Sequence, residues 1–307
     1  MLTRFFGKSS PVNFLILGIV LGLSYVGYQL FVLKSAFDTI AIVKLAGLPF
    51  LLVLTLLLLD FIVRKNNLTR TSTLAVFFFT CFTLMIPMAY GDPEILIANT
   101  FCLFALRRVF SFTSERNSEK KLLDASIWIF VASYFYFYSL VYFAAIYFAI
   151  LRSPNTKFRY LFIPSIALLG VVSLITSVHL LVEDSFNWFD KLNFSIGLDA
   201  SAYNSWNLLI PASLILTWII WITFYRLFKV SSIMRKQRPN FVVLIVVLII
   251  SLFVALGAPE KNGSELYFVI PPLAIGIADY IENSESGIFR ELILWLSILI
   301  PVGLVFL

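Results

Sequence analysis

The residue types able to do chemistry in this chain are carboxylates set near the ends of apolar stretches. Asp38 stands in the short connection between Lys34 and Lys44, and Asp92 and Glu94 flank Pro93. Glu183 opens the longest connection, which runs to Trp206, and Glu260 and Glu265 lie in another. An acid at a membrane face can act as a general base, or hold a divalent cation against a phosphate. Each also has an ordinary role. Asp38 is a lone loop acid, and Asp92 and Glu94 suit a helix start, where negative charge is stabilised by roughly 0.3–1 kcal/mol. A single histidine, His179, excludes a His-rich metal centre. Cys81 and Cys102 both sit inside apolar stretches and read as small buried hydrophobes rather than a disulfide or metal pair. No cofactor is implied.

Three further groups invite a functional reading. Phe186, Trp188, Phe189 and Leu192 interleave with polar residues at near-helical spacing, which predicts a short amphipathic helix on the outer leaflet. It would anchor the loop, line the lip of a lipid cavity, or dock a partner. Pro271-Pro272 predicts a kink inside an apolar segment, with freed carbonyls that either line a cavity or are satisfied by packing. The basic runs at 107–121 and 226–238 include Arg107, Arg108, Arg235, Lys236 and Arg238. They would attract anionic headgroups or an acidic partner, at about 1 kcal/mol per residue near the surface.

Composition defines the elements that must carry these groups. The 307 residues are 60% hydrophobic, 17% aromatic and only 13% charged, about half the charge of a soluble domain. Soluble, disordered and disulfide-scaffold classes are excluded. The chain reads as an all-α integral membrane protein, a single transmembrane domain over 1–307 with no soluble domain. Apolar spans fall at about 12–33, 43–63, 73–90, 94–110, 158–182, 207–225, 241–257, 266–281 and 289–307. Ser10-Pro11 and Asp92-Pro93 each place a capping residue before a proline at a helix start. The first span has no cleavage site after it and is expected to be retained.

The stretch 122–151 is too long for one straight crossing, since a 30-residue helix would measure about 45 Å against a core of about 30 Å. Positive charge decides its path. If it goes out and back, 19 basic residues share one side and four lie opposite. A single crossing gives 12 against 11. The hairpin is therefore expected, as two short spans or a re-entrant pair, with the aromatic run Tyr134–Ser139 at the lipid–water interface. This predicts about eleven membrane segments, a cytoplasmic N-terminus and a periplasmic C-terminus. The net charge of +6 is thus a topology signal, and no nucleic-acid partner is implied. The central slabs hold almost no charge, which weighs against ion coupling.

The segments Met1–Ser9 with Pro11-Val12-Asn13-Phe14, Lys121–Trp128 and Glu265–Ala274 together resemble a family of multi-pass inner-membrane proteins of flavobacteria and related Bacteroidota. That resemblance implies a bacterial inner membrane and carries over no activity. A second similarity is to polyprenyl-phosphate-dependent multi-span glycosyltransferases, which place a catalytic acid in the first outer loop, where Asp38 stands. The 11-residue connection from Lys34 to Lys44 is short for that family.

Two functions follow as expectations. The first is a non-enzymatic integral subunit or accessory factor of a cell-envelope complex, for export, secretion or assembly, with other membrane proteins as partners in the bilayer. The second is an enzyme or carrier for a polyprenyl-phosphate-linked sugar at the periplasmic face, with Asp38 as its base.

Overall fold

The computed structural model describes residues 1–34, 39–70, 72–112, 117–153, 157–186, 188, 195–197, 199–235 and 237–305. Among these the chain is helical without strands. In order the helices are α1 (Leu2–Phe6), α2 (Pro11–Gly27), α3 (Thr39–Lys65), α4 (Leu74–Met85), α5 (Pro93–Ser111) and α6 (Ser118–Phe135). They continue with α7 (Phe143–Arg152), α8 (Ile163–Glu183), α9 (Trp206–Lys229), α10 (Arg238–Leu256), α11 (Ile270–Asn283) and α12 (Gly287–Leu304). Among the described residues, six helical stretches are long and apolar enough to cross a membrane: Pro11–Val32, Ala41–Lys65, Phe158–Glu183, Trp206–Lys229, Arg238–Leu256 and Gly287–Leu304.

Local chemistry sets the helix ends. Ser10 Oγ accepts the Val12 N–H at 3.3 Å, with Pro11 in the first turn. Pro93 likewise starts α5, but Asp92 does not cap it with its side chain. Its carboxylate instead accepts a hydrogen bond from Asn262 Nδ2 at 3.0 Å. The apolar stretch 73–90 is not one helix: α4 stops at Met85 and Pro87 opens a 3₁₀ turn, Pro87–Gly91. A proline there has no N–H to continue the ladder.

The stretch 122–151 does leave and return. After α6 a 3₁₀ turn, Phe137–Tyr142, reverses into α7, and Arg159 beyond α7 pairs with Glu119 at the start of α6. Its aromatic tip packs in part on protein. Tyr136 stacks on Phe268 with centroids 5.0 Å apart, and Tyr138 is buried.

Contacts among the cationic segments define one end of the bundle. Asn240 Nδ2 donates to the Asn66 carbonyl at 3.4 Å, and the Arg107 guanidinium lies 4.6 Å from the Phe61 ring centroid. Arg70 donates to Asn283 Oδ1 at 3.3 Å, and Arg226 to the Phe241 carbonyl at 3.3 Å. We call this the basic end.

The core is built on two short central helices, α4 and α11, which pack on each other. Nearly every α4 side chain from Leu74 to Phe82 is buried, as is α11 from Ile270 to Ala278. A helix apolar all round belongs inside a larger assembly of helices. Gly276 permits α9 to approach α11, since a Cβ there would lie 2.6 Å from Ile222 Cγ2.

Candidate functional site

An apolar groove of about 800 Å³ lies between α2, α4 and α12. Ile16, Val20, Phe77, Cys81, Ile298 and Val302 are among the residues lining it. All three helices run away from the basic end, so the groove follows them lengthwise. Its α2 side extends from Ile16 to Gly27, about 17 Å at the rise of an α-helix, and the wall continues to Val32. Polar atoms on the wall are mostly satisfied internally. Ser24 Oγ bonds the Tyr90 hydroxyl at 2.8 Å, and Thr80 Oγ1 donates to the Val76 carbonyl at 2.9 Å. The wall therefore offers hydrocarbon surface.

Below its foot lies a second cavity of about 290 Å³ with the opposite chemistry. Arg4, Lys8, Arg70 and Arg290 line it, with Thr3 and Ser72 between them and Glu282 as its one carboxylate. Glu282 is already engaged: it accepts the Arg70 N–H at 2.6 Å and the Ser72 hydroxyl. The side chains of Arg4 and Lys8 form no hydrogen bond or ion pair among the described residues, and Arg290 Nε is buried with no hydrogen-bond partner.

The fold holds this pocket through the first turns of the chain. Glu291 on α12 accepts the N–H groups of Leu2 and Thr3 at 2.6 and 3.1 Å and the Thr3 hydroxyl at 2.7 Å, so a carboxylate caps α1 from across the bundle. Buried Asn13 donates from Nδ2 to the carbonyls of Phe5 and Lys8 at 3.0 and 3.1 Å and contacts Thr73 Oγ1 at 2.9 Å. Thr73 in turn donates its hydroxyl to the Phe6 carbonyl at 2.8 Å. The segment 1–8 is thereby clasped between α2, α4 and α12.

Groove and pocket adjoin. Leu74 faces the pocket and Phe77, one turn on, faces the groove. On α12, Arg290 faces the pocket and Ile298 the groove, about 12 Å along the helix. Between them the Phe6 and Phe77 rings lie 4.6 Å apart and floor the groove. Hydrocarbon surface ending at a cluster of cations is the complement of an amphiphilic anion.

Three other polar clusters read as structural. Near the basic end, Arg226 Nη1 meets Asp279 Oδ2 at 2.8 Å. At the opposite end Glu265 accepts the Tyr203 hydroxyl at 2.7 Å and the Gly263 N–H at 2.8 Å. Gly263 has φ +96°, a conformation that suits glycine, and a Cβ would collide with Leu208. Burial raises the Glu265 carboxyl above its ordinary range, against the lowering effect of those hydrogen bonds. His179 bridges the Tyr134 hydroxyl at 2.9 Å and Glu183 at 3.0 Å. Among the described residues no group of three or more metal-ligating side chains converges.

The residues singled out from sequence are dispersed. Asp38, Phe189, Leu192 and Lys236 lie outside the described residues. Phe186 is exposed, whereas Trp188 is buried, so those two do not share a lipid-facing side. Pro271 and Pro272 occupy the first turn of α11, where they start a helix instead of kinking one, and they line neither cavity. Arg108 is paired with Asp124 at 2.7 Å, and Arg238 donates to the Ser231 carbonyl at 2.8 Å. Arg235 is exposed and lines neither cavity. Arg226, read as a loop cation, lies inside α9 and is buried. The cations that converge on a cavity, Arg4, Lys8, Arg70 and Arg290, all come from outside the two dense basic runs.

No protein-family model, curated protein or solved structure matches the chain.

Proposed function

We propose that this is an integral membrane protein that binds a long-chain lipid in the groove between α2, α4 and α12. The observation that carries the reading is the groove itself, an apolar channel of about 800 Å³ running along three parallel helices. Its volume lies within the roughly 300–1,000 Å³ common to small-molecule sites. Burying an acyl or prenyl chain there adds about 0.8 kcal/mol per CH₂ only relative to water, so affinity over bulk lipid must come from fit and from the headgroup. The charge asymmetry supports an orientation with the basic end in the cytoplasm. The lipid-linked substrate expected from sequence would then enter from the cytoplasmic leaflet, not beside Asp38.

The test is photocrosslinking in native membranes with a diazirine-bearing fatty acid incorporated into lipids. Crosslinks are expected to concentrate on α2, α4 and α12, and Val20→Trp, which fills the groove, should remove them. Labelling spread evenly over α8 and α9 would refute the reading.

One observation favours the accessory-subunit role as a second reading. Trp221, Phe224 and Phe228 form an exposed stripe on one face of α9, at 54, 57 and 81% exposure. Exposed aromatic surface of this kind suits lateral helix packing, driven by van der Waals fit. Purification in gentle detergent should retain a partner that Phe224→Ala/Phe228→Ala releases. Recovery of a lone monomer in several mild detergents would argue against this role.

A further inference from the structure

We propose that the pocket of Arg4, Lys8, Arg70 and Arg290 receives the phosphate of an anionic lipid whose chain occupies the adjoining groove. This rests on the groove reading and names the chemical class of its ligand.

The charge balance is the first argument. Four cations share a cavity of about 290 Å³ with one carboxylate, Glu282. Like charges gathered on one cavity repel one another. A dianion relieves that repulsion. Both Glu282 oxygens already accept hydrogen bonds, from the Arg70 N–H and the Ser72 hydroxyl. The side chains of Arg4, Lys8 and Arg290 make no hydrogen bond or ion pair among the described residues.

The donor geometry is the second argument. Arg290 Nε is buried without a partner. A guanidinium offers a planar fork that matches phosphate oxygens in pairs, and charge-assisted bonds of this kind are about twice as strong as neutral ones. The Thr3 and Ser72 hydroxyls already donate to Glu291 and Glu282, so the arginine and lysine side chains are the donors left for a ligand.

Position is the third. The pocket lies past the Phe6–Phe77 floor, at the end of the groove where three helices begin. A phosphate held there directs its chain up the groove, toward Val32 and Val302. A terminal phosphomonoester, with about −1.5 to −2 charge, fits this cluster best. A zwitterionic headgroup would bring an ammonium into a site already rich in cations. The ligand class is therefore a lipid monophosphate, whether its chain is acyl or prenyl.

The experiment uses the full chain in detergent and native mass spectrometry with four probes: dioleoyl phosphatidic acid, dioleoyl phosphatidylcholine, dioleoylglycerol and inorganic phosphate. Arg4→Gln/Lys8→Gln is the diagnostic variant, since both side chains are exposed and unbonded among the described residues. Phosphatidic acid should bind at least about tenfold more tightly than phosphatidylcholine, and the variant should erase that margin while leaving dioleoylglycerol binding unchanged. Equal binding of the two phospholipids, or a margin that survives in the variant, overturns the headgroup assignment and leaves the groove standing. If inorganic phosphate binds and dioleoylglycerol does not, the pocket is a soluble-anion site and the groove reading fails with the proposal as stated.

Discussion

Arg226 and Asp279 form a buried ion pair between α9 and α11, with Nη1 2.8 Å from Oδ2 and Arg226 only 1% exposed. The guanidinium carbon lies 3.7 Å from the Phe241 ring centroid, and Nη2 donates to the Phe241 carbonyl. One arginine thus joins three helices. Removing one partner of a buried pair leaves an uncompensated charge, at a cost of about 3–5 kcal/mol. Asp279→Ala should therefore lower the thermal midpoint in detergent sharply. The double change Arg226→Met/Asp279→Leu should recover most of the loss, because apolar residues of similar volume often replace such pairs without penalty. If the single variant melts like the wild type, the pair does not hold α9 to α11.

A second prediction concerns the α9–α11 contact one turn away. Gly276→Ala places a methyl 2.6 Å from Ile222 Cγ2, and Ile222 is fully buried. Overpacking of this kind costs about 1–3 kcal/mol. The variant should melt lower than wild type, and adding Ile222→Ala should relieve the clash while opening space of its own. Additive losses in the double variant would show that the two positions do not meet.

The helices were legible because their signal is local. Apolar runs mark the six helices that are long enough to cross a membrane among the described residues, and a charge count that gathers 19 of 23 cations on one side predicts the excursion at 122–151. The basic pocket was not legible in the same way. Arg4, Lys8, Arg70 and Arg290 come from nearly opposite ends of the chain, and only the docking of α1 on α12 brings them together. Dense basic runs drew attention to Arg107, Arg108 and Arg238, yet neighbours such as Phe61, Asp124 and the Ser231 carbonyl occupy those side chains. Pro271-Pro272 looked like a kink because an apolar run does not reveal that the chain before it is a 3₁₀ turn, Ser264–Phe268. Hydropathy alone cannot separate that turn from the helix it leads into.

Stability should depend on pH through Glu265. Its carboxyl is raised above 4.5, chiefly by burial, while Tyr203, the Gly263 N–H and Lys261 pull the other way. A group with a raised folded value binds its proton more tightly when folded. Its favourable contribution is complete below 4.5 and is lost as pH climbs through the folded value. The thermal midpoint of Glu265→Gln should therefore lose less than wild type on going from acid to neutral pH. Parallel pH profiles for the two proteins would place the titration elsewhere.

The last prediction tests whether the first turns of the chain are a built part of the site. Asn13 is 1% exposed, and its amide reaches the carbonyls of Phe5 and Lys8 and the Thr73 hydroxyl. Asn13→Ala deletes that donor and leaves two carbonyls to find other partners, a cost of about 1–3 kcal/mol for each group left buried and unsatisfied. Because α1 is a five-residue helix, it has little stability of its own, so this loss should fall on the clasp before it reaches the bundle. Amide hydrogen exchange should rise over residues 2–8 and stay unchanged in α4 and α11. Phosphatidic acid should lose affinity in proportion, since Arg4 and Lys8 ride on the loosened segment, whereas dioleoylglycerol should not. Unaltered exchange at residues 2–8 would mean that Glu291 and Thr73 fix α1 without Asn13, and Glu291→Ala would then be the change that frees it.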